Sequence, residues 1–192
     1  MTNLEPDTFY HIFNRGNNKE LIFFNDENYN YFLRLVKKHI SEIAEIYSYC
    51  LLPNHFHFLI KTKEINNISE KYKKDNIVLL HQPFSNLFNA YTKAINKQEN
   101  RTGSLFQKHF KRIEIKSTEQ LLNTIIYINT NSSHHSLMDY KRYNFSSYKA
   151  LISDKETLIK RKYVIELFDD LSNFKFMLNY KKDSIEIENS VE

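Results

Sequence analysis

The stretch LPNHFHFLIK, from Leu52 to Lys61, is the part of the sequence that decides the fold. Apart from Asn54 near its start and Lys61 at its end, it is apolar except for two histidines, and the side chains of a strand point alternately to the two faces of a sheet. The phenylalanines and the isoleucine therefore cover one face, and His55 and His57 stand together on the other. Such a pair can bind a metal ion, pair with carboxylates or lie at a sheet edge, and these ten residues do not choose between them.

The flanking segments predict an antiparallel sheet with helices. Pro53 and Asn54 join the histidine strand to a preceding strand, which is a hairpin pattern. The same patterns predict strands at residues 9–13, 43–51, 55–62 and 110–115, helices at 26–40, 83–97 and 117–131, and a polar, mobile loop at 63–74. The order β-α-β-β-α-β-α indicates an α+β fold of the ferredoxin-like or RRM-like type, with helices packed on one face of the sheet.

The helix predicted at 117–131 carries an unusual tyrosine. Its start fits a capping box, with Ser117 followed three residues later by Gln120. Leucines and isoleucines form its apolar stripe, and Tyr127 lies roughly opposite the centre of that stripe. Asn131 follows one turn later and shares the face of Tyr127. The tyrosine is therefore either a functional group or a solvent-exposed residue on a polar face.

Length and composition bound the class of protein. The 192 residues suit one domain with a small appendage, which we place at 1–150 and at 151–192, the latter a helical extension (residues 154–180) with a frayed acidic tail from Lys181. The single cysteine, Cys50, excludes an intramolecular disulfide and is expected in the core of a cytoplasmic protein. No apolar run approaches the roughly 20 residues that span a bilayer, so we expect no membrane association.

The middle of the chain is basic. Seven lysines and arginines lie between Tyr91 and Lys116, against two glutamates, and aromatic residues stand among them. This pattern suits single-stranded nucleic acid, whose bases stack on rings and whose phosphates attract cations. A solvated charged face would have the same composition, so charge alone leaves both interpretations open.

Four motifs in order give the chain a resemblance to a known family. They are YHIFNRGNNKELIF (Tyr10–Phe23), YCLLPNHFHFLIK (Tyr49–Lys61), RTGSLFQKHFKR (Arg101–Arg112) and YINTN (Tyr127–Asn131). Together they resemble the REP-associated tyrosine transposases, a branch of the single-tyrosine HUH transposases. The resemblance runs from about Thr8 to Leu151.

The resemblance implies a metal-dependent single-stranded DNA endonuclease and strand transferase that acts at hairpin-flanked sites. Tyr127 would be the nucleophile and form a 5′-phosphotyrosine. His55 and His57 would be the two metal-binding histidines, and Asn131 the amide that completes the metal site. The metal would be Mg²⁺ or Mn²⁺, although the ligand types also permit zinc.

The resemblance also assigns DNA contacts. These residues are His11, Asn14 and Arg15 in the first motif. From the basic middle of the chain we add Arg101, Lys108, Lys111 and Arg112, which lie in the third motif. The expected partner is single-stranded DNA with hairpins, and the protein would act as a monomer or a homodimer. The chain departs from relatives at Asn129, where a histidine is common, and at Ser132, where proline is common. His135 either matches a histidine of some members or is a solvated loop residue.

Two other classes of function stay open. A non-catalytic single-stranded nucleic-acid-binding module would use aromatic residues on the surface of an RRM-like sheet. A relaxase-like enzyme shares the histidine pair but carries its tyrosine before the histidines, which would make Tyr10 the nucleophile.

Overall fold

The computed structural model describes residues 3–74 and 77–182. Its strands are β1 (Phe9–Arg15), β2 (Ala44–Leu52), β3 (His55–Thr62), β4 (Lys73–Lys74), β5 (Ile77–Val78) and β6 (Lys111–Glu114). Its α-helices are α1 (Asp26–His39), α2 (Gln82–Gln98), α3 (Thr118–His134), α4 (Tyr148–Leu151), α5 (Arg161–Glu166) and α6 (Leu171–Lys181).

Four strands form one antiparallel sheet in the order β2-β3-β1-β6. With α1 between β1 and β2 and α2 between β3 and β6, this is the ferredoxin-like arrangement predicted from the sequence. The hairpin at Pro53 and Asn54 is confirmed, with Leu52 directly opposite His55. The predicted α+β fold is therefore confirmed.

Side-chain caps fix the start of α1 and of α3. The Asn25 side chain accepts a hydrogen bond from the Asn28 backbone at the start of α1. At the start of α3, Ser117 accepts one from the Gln120 backbone, as the sequence predicts. In a complete capping box the Gln120 side chain would accept a hydrogen bond from the Ser117 backbone. Here it accepts one from the Lys116 backbone, so only half of the motif forms.

Helices cover both faces of the sheet, and the prediction of helices on one face was incomplete. One core joins α1 and α2 to Phe56, Phe58 and Ile60 of β3. A second core joins α3, α5 and α6 to Leu59 and to Cys50, which is buried as predicted. No open aromatic sheet face remains among the residues that the structure describes, which contradicts the RRM-like binding mode.

The C-terminal region forms short helices on α3. The predicted helical segment at 154–180 is two helices, α5 and α6, and both pack into the second core. Residues 154–160 run outside any helix, and Ile159 forms a bridge with Ile46 of β2. The expected boundary after residue 150 falls inside α4 and stays a prediction, and the acidic tail at 183–192 lies outside the described residues.

The segment predicted as a loop at 63–74 has some regular structure. It contains two 3₁₀ turns, and its buried residues Ile68 and Tyr72 are both part of the first core. These two side chains thus hold an otherwise polar segment against the protein core.

Within residues 3–74 and 77–182, none of the helices is both long enough and apolar enough to cross a bilayer.

Candidate active site beneath helix α3

The strand register brings the histidines to one face of the sheet. Directly opposite residues of an antiparallel pair point to the same side. Phe13 is opposite His57 and Arg15 is opposite His55, while His11 is opposite Leu59. These side chains therefore share the face that α3 covers.

Tyr127 of α3 packs on these histidines. Its ring meets that of His57 edge to face, with centroids 5.5 Å apart, and lies 6.1 Å from that of His11. Tyr127 is only 5% exposed and Asn131, one turn along, is fully buried. The polar side of α3 thus faces the histidines, and the interpretation of Tyr127 as a solvent-exposed residue is wrong.

Three of the buried side chains have polar atoms that make no hydrogen bond. They are Nε2 of His55, Nε2 of His57 and both amide atoms of Asn131. The other ring nitrogens are occupied, since Nδ1 of His57 lies 2.9 Å from Nε2 of His11 and Nδ1 of His55 lies 2.6 Å from Oδ1 of Asn54. Unmatched polar atoms in a protein interior are rare, and they cluster where a ligand supplies the missing partner.

Burial keeps these imidazoles neutral. It lowers the pKa of His55 to about 3, an effect that His135 and Arg15 reinforce. Burial likewise lowers the pKa of His11 to about 3 and holds the pKa of His57 well below its ordinary value. A neutral imidazole retains the lone pair that a metal ion requires.

These donors fit a divalent cation, with an amide as the third group. Imidazole nitrogens suit zinc and other transition metals, whereas an amide oxygen suits Mg²⁺ or Mn²⁺, so this mixed set leaves the identity of the cation open. Among the described residues, no three His, Cys, Asp or Glu side chains are placed to hold a metal ion together, so the set depends on Asn131.

Two further histidines lie beside this set. His135 is half-buried, and its ring centroid lies 4.6 Å from that of His55, so it is not a solvated loop residue. His11 is 1% exposed and lies behind His57, which corrects its expected position at a DNA-facing surface. Neither position is visible in sequence, because each depends on a partner more than 40 residues away.

Tyr10 lies on the opposite face from the histidines. It is directly opposite Ile60, it is 1% exposed, and its hydroxyl oxygen accepts a hydrogen bond from the Glu5 backbone. A phenol on that side cannot meet a phosphate held near His55 and His57. The relaxase-like alternative is therefore contradicted.

The expected DNA contacts divide between the two faces at the β6 edge of the sheet. Lys111 is opposite Phe13 and so shares the histidine face with Arg15, whereas Arg112 is opposite Ile12 and points to the other face. Asn14, opposite Phe56, also points to that other face. Strand β6 is the last strand of the sheet, so a polymer can pass from one face to the other around it.

A groove lies on the side of the sheet to which Arg112 points. It encloses about 540 Å³ and is lined by Arg112, Asn14 and rings that include Phe88 and Phe110, and no described residue that lines it is acidic. The Arg112 guanidinium stands over the Phe110 ring at 5.2 Å. Cations, amides and rings are the groups that bind single-stranded nucleic acid.

The other two expected DNA contacts lie in or beside the loop before β6. Lys108 is exposed. Arg101 donates hydrogen bonds to Glu20 at 2.9 Å and to Asn96 at 3.1 Å, so it ties that loop to neighbouring segments. DNA contact by Arg101 would compete with these bonds.

Comparison with known proteins bears on the fold. No family model matches the sequence, and no curated protein matches it either. A solved structure of a REP-associated tyrosine transposase bound to a REP hairpin is similar, with a TM-score of 0.62 and 15% sequence identity. The match covers 80% of this chain and 87% of that chain. At this identity the likeness shows a common fold, which is the fold that the four motifs led us to expect.

Proposed function

We propose that this chain is a metal-dependent single-stranded DNA endonuclease and strand transferase that acts at hairpin-flanked sites through Tyr127. One observation carries the proposal: the Tyr127 ring is packed against His57, and His57, His55 and Asn131 all have buried polar atoms that make no hydrogen bond. The similar solved structure is a tyrosine transposase bound to a hairpin, which supports a DNA-processing role for a chain of this fold.

Tyr127 would supply the nucleophile. Its phenolic oxygen attacks the phosphorus of a phosphodiester, the bond from phosphorus to the 3′ oxygen breaks, and the 3′ oxygen takes up a proton as the phenol loses one. The products are a 5′-phosphotyrosine and a free 3′-OH, and attack by a 3′-OH reverses the step. The bond energy is conserved in the covalent link, so rejoining needs no nucleotide cofactor.

His55, His57 and Asn131 would hold Mg²⁺ or Mn²⁺. Such an ion polarises the phosphate and offsets the charge that develops in the transition state. The histidines would also help to orient the phenol, because the Tyr127 ring packs edge to face on His57.

Arg15 and Lys111 would bind the backbone phosphates on the histidine face. Arg112 would bind the same strand after it passes around β6, with Lys108 and Arg101 at the loop that precedes it. Asn14 lines the groove but is only 5% exposed, and its amide donates to the Gln107 carbonyl and accepts from the Arg15 backbone, so we do not assign it a phosphate. His11, which sequence analysis grouped with these residues, is too deeply buried for this role.

The decisive experiment uses labelled single-stranded oligonucleotides that carry short hairpins, incubated with Mg²⁺ or Mn²⁺ and resolved on denaturing gels. The wild-type protein should form a covalent adduct that requires the metal, and Tyr127→Phe and His57→Ala should form none. Tyr140→Phe is the matched control, because the Tyr140 hydroxyl is buried without a hydrogen bond and its loss should leave the adduct unchanged. An adduct that persists in Tyr127→Phe would exclude this residue as the nucleophile.

A non-catalytic binding module is the second candidate, and the groove beside Arg112 favours it as a binding surface. The same gels distinguish the two functions. A binding module shifts the oligonucleotides on native gels but forms no adduct with any hairpin, and it binds equally well without metal.

A further inference from the structure

His11 forms a buried pair with His57. Nε2 of His11 lies 2.9 Å from Nδ1 of His57, and the two rings stack with centroids 5.1 Å apart. His11 is 1% exposed and His57 is 3% exposed. The β1–β3 register sets this contact, because His11 sits two residues along β1 from Phe13, which is the direct partner of His57.

Two neutral imidazoles can share this bond in two ways. In the first, His57 donates from Nδ1 and Nε2 of His57 keeps its lone pair. In the second, His11 donates, so the proton of His57 is on Nε2 and blocks a cation. Only the first arrangement makes His57 a metal ligand.

We propose that His11 is a positioning residue that accepts the Nδ1 proton of His57 and so presents the Nε2 lone pair of His57 to a divalent cation. This inference rests on the proposed function, since it assumes that His57 binds the metal. It places His11 behind the metal ligand His57, on the Nδ1 side of the His57 ring, and not among the DNA contacts.

His55 shows the same device with a different acceptor. Its Nδ1 lies 2.6 Å from Oδ1 of Asn54, and an amide oxygen can only accept, so the proton is on Nδ1 and Nε2 is bare. His57 has no amide at that position, and His11 takes the place of the acceptor. Hydrogen bonds of this kind fix the tautomer and orientation of metal-binding histidines.

The unpaired atoms show why a cation selects the first arrangement. Nδ1 of His11 and Nε2 of His57 are both buried without a hydrogen bond. In each arrangement, one of these atoms carries a proton without an acceptor and the other a lone pair without a donor. These atoms therefore favour neither arrangement while no cation is bound. A cation on Nε2 of His57 satisfies one of the two atoms, and it can do so in the first arrangement alone.

The test measures Mn²⁺ binding to the DNA-free, full-length protein by electron paramagnetic resonance. His11→Phe retains a ring of similar size but no acceptor, and we expect its affinity for Mn²⁺ to fall by about 10- to 100-fold. His11→Gln offers an amide oxygen close to the position of Nε2, and we expect its affinity to stay within a few-fold of the wild type. Loss in both variants alike would point to packing and would overturn the proposal.

A second readout needs no variant. Long-range ¹H–¹⁵N spectra of the wild-type protein with Mg²⁺ should show the His57 proton on Nδ1, and a proton on Nε2 would overturn the proposal even if His11→Phe does not fold. Wild-type Mn²⁺ binding that His11→Phe leaves unchanged would overturn the role of His11 and leave the proposed function intact. A wild-type protein that binds no Mn²⁺ would overturn the metal site and this inference together.

Discussion

Asn131 is the clearest example of a residue in this site that does not contribute to the folding free energy. Both polar atoms of its amide are buried without a hydrogen bond, although it stands beside His55. A buried polar group without a partner costs about 1–3 kcal/mol of folding free energy. The proposed metal ion would supply the partner that this amide lacks.

We therefore predict opposite effects of Asn131→Leu on stability and on function. Leucine has nearly the same shape and no polar atoms, so the metal-free protein should gain about 1 kcal/mol or more in free energy of unfolding. Metal-dependent adduct formation should fall strongly, because the third donor is lost. Urea unfolding in EDTA and the denaturing gel measure the two effects.

Asn123→Leu is the control for this prediction. It makes the same substitution on the same helix, at a half-buried position away from the histidines. It should change neither the adduct nor the metal response. If Asn131→Leu instead lowers the stability of the metal-free protein, the amide has a structural partner and is not held ready for a ligand.

Helix α3 is fixed to the sheet by a buried polar network centred on Asn129. Its side chain donates to the Ser48 hydroxyl at 2.9 Å and accepts from the Ser147 hydroxyl at 2.7 Å. Ser147 in turn accepts a hydrogen bond from the Tyr49 backbone, so the network joins α3 to β2. Asn129 is two residues from Tyr127, and the network therefore sets the height of the tyrosine above the histidines.

We predict that Asn129→Ala destabilises the protein by about 2 kcal/mol or more, because hydroxyl groups lose partners inside the core. It should also slow adduct formation, since α3 loses its polar link to β2. Denaturant unfolding and adduct kinetics measure both effects. Asn123→Ala, at a half-buried position on the same helix, should change stability by less than about 0.5 kcal/mol, and a similar loss in both variants would contradict the role of the network.

Helices and strands could be predicted where their hydrophobic pattern is local in the sequence. The bounds of β1, β3, α1 and α2 follow from alternation and helical periodicity, and the structure differs by only a few residues at their ends. The position of α3, α5 and α6 as a second layer on the other face of the sheet was not predictable in this way. The polar side of α3 looks like a solvent face in sequence, and only the packing on β2 and β3 shows that Asn129 and Asn131 are buried.

The candidate site shows the same limit. Histidine spacing in one strand placed His55 and His57 together, and helical spacing placed Tyr127 with Asn131. His11 and His135 join them through contacts between β1 and β3 and between the end of α3 and the hairpin. Contacts of that range leave no periodic signal in a single sequence.

Metal binding should stabilise the whole molecule, because the donors are assembled only in the folded chain. A ligand at 100 times its Kd adds about 2.7 kcal/mol, and a chain of this size gains about 2–4 °C in Tm for each kcal/mol. We therefore predict that Mn²⁺ raises Tm by about 5–10 °C and that EDTA reverses the rise. Calorimetric scans measure this.

The double variant His55→Ala/His57→Ala is the control for the metal effect. It should show the same Tm with Mn²⁺ and with EDTA. A rise in Tm that survives the loss of both histidines would place the cation elsewhere in the molecule.

The last prediction concerns the path of DNA across the molecule. Lys111 and Arg112 are neighbours in β6 but point to opposite faces of the sheet, and each would bind a phosphate only if the strand passes around this edge. Each cation that neutralises a phosphate of single-stranded DNA contributes about 0.7 to the slope of log K against log salt concentration. Lys111→Gln and Arg112→Gln should therefore each reduce the slope by about 0.7, and the double variant by about twice as much.

Fluorescence anisotropy over a series of salt concentrations measures these slopes. Lys160→Gln is the control, because Lys160 pairs with Glu45 of β2, at the opposite edge of the sheet, and should leave the slope unchanged. If Lys111→Gln alone reduces the slope, the strand stays on the histidine face and does not enter the groove beside Arg112. Equal reductions from both variants mean that the DNA uses both faces, and that the β6 edge delivers the strand from the groove to Tyr127.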